Sequence, residues 1–212
     1  FDKTAIKNLM NKNSPATNAL KLIVFRINAE QPYYGINVFK TFEIQRAKHY
    51  RISEIPKANE FIEGIVYIRN QPVPLVNLPR WLRTDLSEQE ERNSSIIFCN
   101  FNNIQIALRV GGIHQIITRD WEDVLPLQFQ EYMLVDRNLN YTLLDDGSSV
   151  CLILDVEYLL TEVLPHEFSE IQKDVQNLSF IDFEIPESLK NGTILVAEDS
   201  RSAQMYLKNF FE

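Results

Sequence analysis

The sequence predicts a mainly β protein, an all-β sandwich or barrel. Between Leu20 and Leu154, roughly ten short apolar runs are separated by turn signals about every 8 to 12 residues. No helix-period run interrupts them before Asp155, as alternating βα units would require. Pro72 and Pro74 bracket Val73 and belong at a strand start or edge, where no ladder donor is needed.

Taken in order, residues 3–12 read as a short helix with Ile6, Leu9 and Met10 at helical spacing, broken by "NKNSPATN". "LKLIVFRIN" and "YYGINVFK" are two strands separated by "AEQP". "GIVYIRN" and "PVPLVNL" are two more, divided at Gln71 and Pro72. "SSIIFCNF" and "IQIALRV" flank Asn102-Asn103, a hairpin signal. "GIHQIIT" follows Gly111, and "YTLLDDGSSVCLIL" is a hairpin around Gly147 and Ser148. "YYGINVFKTFEI" and "LRVGGIHQIITR" echo each other, each running from a strand through glycine into a second strand. Chance likeness of hairpins and a pair of related small barrels both account for the echo. "DVEYLLTEVL" then reads as a helix with Val156, Leu159, Leu160 and Val163 on one face, stopped by Pro165. A second amphipathic helix covers "FSEIQKDVQNLSF", and "IDFEIPESLKNG" is a linker. The last stretch, "GTILVAEDSRSAQMYLKNFFE", is a buried strand, two carboxylates and a helix, the opening of an α/β domain.

A chain of 212 residues has room for one large domain, or for one domain and a fragment. No run of about 18 apolar residues exists, so no membrane insertion is expected. The first residues lack an apolar signal region, and the missing initiator Met suggests a start inside the native chain. Cys99 and Cys151 lie in apolar strand-like runs and read as buried thiols, in keeping with a cytoplasmic location. The net charge of −8 argues against nucleic acid as a partner, because phosphates demand clustered Lys and Arg. Residues 165–190 carry six acids against two lysines, −4 of that −8, which marks a solvated connection.

Catalytic motifs are missing from the β region. His49, His114 and His166 show no metal-ligand spacing, and there is no nucleophile elbow or Walker loop. Asp145 and Asp146 precede Gly147 in a hairpin, where Asp forms turns. The one constellation with chemical promise is Glu198-Asp199, just past a strand's carboxyl end, where open α/β sheets bind ligands and Mg2+ accepts carboxylates. A simpler reading stands beside it: acids before a helix N-terminus meet the helix dipole favourably.

Tyr34-Gly35-Ile36, the segment Gly64 to Arg69, and Val73-Pro74-Leu75-Val76-Asn77-Leu78 together resemble the CheW family of bacterial chemotaxis adaptors. "LRVGGIHQII" and "CLILDVEYLL" match its second half, so the likeness covers roughly residues 20 to 163. One departure stands out: the glycine usual after the arginine is Asn70 here. The order of segments resembles the CheV arrangement, a CheW-like domain fused to a response-regulator receiver. The resemblance implies a lead-in over 1–19, a CheW-like domain over 20–164, a helix and acidic linker over 165–192, and an incomplete receiver over 193–212. It implies a mainly β fold of two five-stranded SH3-like barrels with flanking helices, followed by a receiver's first β-α unit. Partners would be the regulatory domain of the histidine kinase CheA and the cytoplasmic tips of chemoreceptors, in arrays at the membrane. Val38, Thr41 and Glu43 would lie on a partner-contact strand, and Gly64 and Arg69 in a coupling segment. Glu198 and Asp199 would help hold the receiver's Mg2+, with the acceptor aspartate beyond Glu212. The CheW-like part would need no cofactor. The implied role is a non-enzymatic scaffold tuned by phosphorylation, the alternative a phosphate sink localised by its β domain.

Overall fold

The computed structural model describes residues 19–101, 104–127 and 139–165. The chain divides into two compact units at Asp155/Val156. The first holds eleven described strands: β1 (Ala19–Phe25), β2 (Tyr33–Asn37), β3 (Thr41–Arg46), β4 (Ile62–Ile68), β5 (Gln71–Asn77), β6 (Ser95–Phe101), β7 (Ile104–Val110), β8 (Ile113–Asp120), β9 (Leu125–Pro126), β10 (Asn140–Leu143) and β11 (Val150–Ile153). Two short helices, α1 (Leu78–Trp81) and α2 (Glu88–Asn93), separate β5 from β6. In the second unit, α3 (Val156–Val163) buries Val156, Leu159, Leu160 and Val163, the face its spacing predicts. The expected helices at 3–12 and 168–180, and the receiver start, lie outside the described residues.

The strands form two mixed sheets, in the order β8-β1-β2-β11-β10-β9 and β3-β6-β7-β5-β4. Apart from the two-residue β9, each has five strands and one parallel pair, β2 with β11 and β5 with β7. The mainly β expectation and the paired five-stranded plan therefore hold. Both sheets follow one diagram. A hairpin (β1-β2 or β6-β7) lies parallel to a second hairpin (β11-β10 or β5-β4), and an outer strand flanks the first. That outer strand is exchanged: β3 follows β2 but pairs with β6, while β8 follows β7 but pairs with β1. The two echoing sequence stretches are these two crossings.

Alternating side chains fill each sheet's interior. Leu20, Leu22 and Val24 of β1 join Ile117 and Cys151 in the first, and Val66, Ile68, Val73, Leu75, Ile96 and Phe98 cluster in the second. The intervening Ile23, Phe25, Ile97 and Cys99 are buried as well, so these strands are covered on both faces. This explains why "LIVF" and "IIFC" read as continuous apolar runs rather than alternating ones. Each such side chain contributes roughly 1.5–3 kcal/mol by burial.

Local chemistry sets the ends. Pro72 and Pro74 face Tyr67 and Ile65 of β4, while β7 pairs only with Leu75, Val76 and Asn77. The prolines thus occupy the half of β5 that has a neighbour on one side alone, as expected. Asn77 caps α1 by accepting from the Arg80 amide, and Ser87 with Glu90 forms a capping box for α2. Neither helix was expected from the sequence, although Ser-x-x-Glu at 87–90 carries the signal.

Candidate functional site

The β4-β5 hairpin turns two residues earlier than the sequence suggests. Its register runs to Ile68↔Gln71, so Arg69 and Asn70 form the loop, and Gln71 and Pro72 already belong to β5. Arg69 has φ 49° and Asn70 φ 63°, the paired positive values of a type I′ turn. Asparagine tolerates this conformation, so Asn70 fills a left-handed turn position that glycine would also suit. Arg69 does not share that tolerance, and the left-handed region costs it about 1–2 kcal/mol. Strain of this kind clusters where a side chain's position matters more than its comfort.

What the strained turn places is a guanidinium at the sheet's open side. Arg69 Nη2 lies 3.0 Å from Glu43 Oε2, with the arginine side chain 72 % exposed and the glutamate 23 %. Gln45 Nε2 donates to the other Glu43 oxygen at 2.8 Å. The Arg69 guanidinium also stands 5.7 Å from the Phe42 ring centre. β3 and β4 are opposite edges of the five-stranded sheet, so this pair closes it. Phe42 is the extra residue of a bulge between Thr41↔Cys99 and Glu43↔Phe98, which turns its ring toward Phe98 and the core cluster. Tyr50 packs on Phe98 from the same side. Its phenol pKa is raised by burial first and by the Glu43 carboxylate second, with Arg69 opposing. A shallow depression of about 280 Å³ opens here, lined by Phe42, Ile68, Arg69, Gln71, Asn100 and Gln105. An apolar floor with a charged and amide rim suits the docking of a protein side chain.

The remaining expected site residues separate. Val38 and Thr41 are both 4 % exposed, and Thr41 Oγ1 lies 3.9 Å from Cys99 Sγ, so neither offers its side chain to a partner in this structure. On the same stretch the surface is given by Phe39, 75 % exposed, and by Glu43. Gly64 is buried beside the passing segment Ile52-Ser53, where a Cβ would strike the Ser53 carbonyl oxygen. Its requirement for glycine is thereby explained by backbone packing. Glu198 and Asp199 lie outside the described residues.

Sequence reading missed a second charged centre. Arg109 of β7 is buried, and its Nη2 meets Glu63 Oε1 of β4 at 2.7 Å. Burial raises the Glu63 pKa more than Arg109 lowers it, and Glu91 raises it further. The available signal was a lone charge inside the apolar strand "IQIALRV". His114 is exposed and packs on Tyr33 at 4.7 Å between ring centres, with Arg26 3.9 Å from the same tyrosine ring centre. His49 is exposed, and His166 lies outside the described residues. Cys99 and Cys151 are buried thiols, as expected. Among the described residues, no group of three His, Cys, Asp or Glu is placed to hold a metal ion. No described helix is long and apolar enough to cross a membrane.

The fold is thus two five-stranded β sheets that exchange their outer strands, with an exposed, strained hairpin tip at Arg69. The model of the CheW-like domain family matches residues 21–164, and the chain belongs to that family. Chemotaxis protein CheV3 of Helicobacter pylori is 28 % identical over 93 % of this chain and 62 % of its own length. Chemotaxis protein CheV2 of the same organism is 31 % identical over 92 % of this chain and 63 % of its own. The chain thus spans a little over three-fifths of these relatives. The crystal structure of scaffolding protein TtCheW from Thermoanaerobacter tengcongensis superposes with a TM-score of 0.55 at 23 % identity, covering 64 % of this chain and 88 % of that one. That likeness shows the fold.

Proposed function

We propose that this chain is the docking part of a chemotaxis scaffold that couples chemoreceptor tips to the regulatory domain of the histidine kinase CheA. The family match over residues 21–164 carries this reading. The strained, exposed Arg69 beside Glu43 and the adjoining depression supply a surface of the right character. In this reading Arg69, Glu43 and the rim amides meet a partner directly. Gly64 shapes the strand that carries Arg69, and Val38 and Thr41 support the contact strand from within. The work is non-enzymatic and needs no cofactor in the CheW-like part, at arrays on the cytoplasmic side of the membrane.

The proposal extends to a receiver beginning at residue 193, in line with the greater length of the CheV relatives. Glu198 and Asp199 would be two of its Mg2+ ligands; paired carboxylates are hard oxygen donors suited to that ion. Phosphorylation of the receiver would bias a pre-existing equilibrium between domain arrangements and so tune coupling.

Titration calorimetry of this chain against the CheA regulatory domain and a receptor-tip fragment tests the scaffold. Saturable binding to at least one is expected, and binding to neither overturns it. For the receiver, full-length protein lacking its acceptor aspartate should still couple receptors to the kinase in reconstituted arrays. Complete loss of coupling would favour a phosphate sink instead.

A further inference from the structure

β4 enters the second sheet through a bulge. Ile62 pairs with Val76 and Gly64 with Leu75, which leaves Glu63 as the extra residue. A bulge re-aims the side chain of that residue and adds twist to its strand. Glu63 is turned onto Arg109, which lies opposite Asn77 on β5; its guanidinium therefore reaches past β5 to the edge strand. The Arg109 side chain is 9 % exposed, and Glu91 of α2 stands 3.9 Å from its Nη1. Glu63 Oε2 and Arg109 Nε are buried and have no hydrogen-bond partner among the described residues.

As a stabiliser such a pair is poorly built. Both ions give up hydration, two polar atoms go unmatched, and apolar side chains of similar volume generally serve as well or better. Its placement is more informative. From Glu63 the strand runs without interruption to Arg69, with Val66 and Ile68 anchored in the core between them. Ile65 exchanges two backbone hydrogen bonds with Ser53, at 2.8 and 3.0 Å, so the strand is held just after the bulge. Its twist at that point sets where the hairpin tip arrives.

We propose that the Arg109–Glu63 pair is a positioning device, which fixes the β4 bulge and thereby aims the strained tip so that Arg69 meets Glu43. Its consequence for binding rests on the docking role proposed above for Arg69; the positioning itself does not.

The test is the whole chain carrying Glu63→Leu and Arg109→Met together. Its Tm should match or exceed that of the wild type, because an apolar pair replaces an ion pair. The Arg69 Nε–Hε signal in a nitrogen-15 NMR spectrum, assigned by its loss in Arg69→Lys, should move to the position of a solvated arginine. Affinity for the CheA regulatory domain should fall about tenfold, the equivalent of 1.4 kcal/mol. Glu63→Gln keeps the volume and one hydrogen bond, and should leave the Arg69 signal near its wild-type position. An unmoved Arg69 signal in the double variant overturns the proposal. So does a Tm far below wild type, which would make the pair a plain stability element. A displaced signal with unchanged affinity supports the positioning and overturns the docking role of Arg69 instead.

Discussion

The two sheets share one pairing diagram, yet they close in opposite ways. In the second, an acid on the exchanged strand (Glu43 of β3) meets an arginine at the hairpin tip, Arg69. In the first, an arginine on the exchanged strand (Arg119 of β8) meets an acid at the hairpin tip, Asp145, at 2.6 Å. The tips differ more than the charges do. Around Asp145 the turn is relaxed: Gly147 takes the positive φ of 66°, and the Asp146 carboxylate accepts from the Ser148 and Ser149 amides. Those bonds, led by the Ser149 hydroxyl, hold the Asp146 pKa down at about 2. Around Arg69 a bulky cation takes the positive φ itself. Equivalent positions in a duplicated plan thus carry a turn built for comfort and a turn built for presentation. The function proposed above makes the second tip the working surface, and substitutions at the two tips separate that reading from a purely structural one.

The largest effect should come from the crossing that makes the sheets exchange strands. A Cβ on Gly111, between β7 and β8, would collide with the carbonyl oxygens of Arg26 and Ile27, whereas one on Gly112 meets nothing within 4 Å. Gly111→Ala should cost about 3–5 kcal/mol in urea unfolding, and Gly112→Ala no more than about 0.5 kcal/mol. Equal losses would mean that the crossing is not fixed by that backbone contact.

Next in size is the contrast between the tips. Arg69→Gly removes a left-handed penalty of about 1–2 kcal/mol and an exposed ion pair worth about 0–1 kcal/mol, so stability should stay level or rise slightly. Partner affinity should nevertheless drop at least about tenfold, as for a hot-spot residue. Asp145→Ala should change stability by less than about 1 kcal/mol and leave binding untouched. Calorimetry showing the reverse order would move the working surface to the first sheet.

Much of this plan could be read in the sequence, for identifiable reasons. Most strand positions, the proline rule and the α3 face are local patterns and hold, whereas the 3-10 turn Val38–Lys40 that ends the "YYGINVFK" run, and the short β9, were not read. The two echoing stretches fall at equivalent crossings of the two sheets, although Gly35 lies inside β2 and Gly111 lies between β7 and β8. Turn placement failed at Arg69 because propensity assigns turns to Gly and Pro, and here an arginine accepts the strain. Arg109 and Glu63 stayed hidden because their meeting depends on a bulge and on the order β7-β5-β4, neither of which has a local signature. Burial of Thr41 depends likewise on which face of β3 turns inward, and that of Val38 on the 3-10 turn Val38–Lys40 between β2 and β3.

A smaller effect separates the sheets by pH. Burial raises the Glu63 pKa above the ordinary carboxylate range, so the folded chain holds that proton more tightly than the unfolded chain. Stability from this group is therefore lost as pH rises from the unfolded value through the folded one, and stays level above it. Glu63→Gln should flatten the stability profile just above the ordinary glutamate range. An unchanged slope in urea titrations across that window would assign the dependence elsewhere.

The subtlest test asks whether the two sheets are one cooperative body. Cys151 belongs to the first sheet and Cys99 to the second, and both are fully enclosed. Burial pushes the Cys151 thiol up to about 12, with Arg119 opposing, so the native side chain is a poor nucleophile at pH 8. Alkylation must then wait for an opening of the structure. Exchanged strands mean that neither sheet can open without surrendering an outer strand to the other, so both thiols should report the same opening free energy. Iodoacetamide rates measured against urea concentration should accordingly converge on the global unfolding value for both cysteines. Earlier reaction at Cys151 would show that β9 to β11 open apart from the exchange, and would confine the cooperative unit to the second sheet together with β1, β2 and β8.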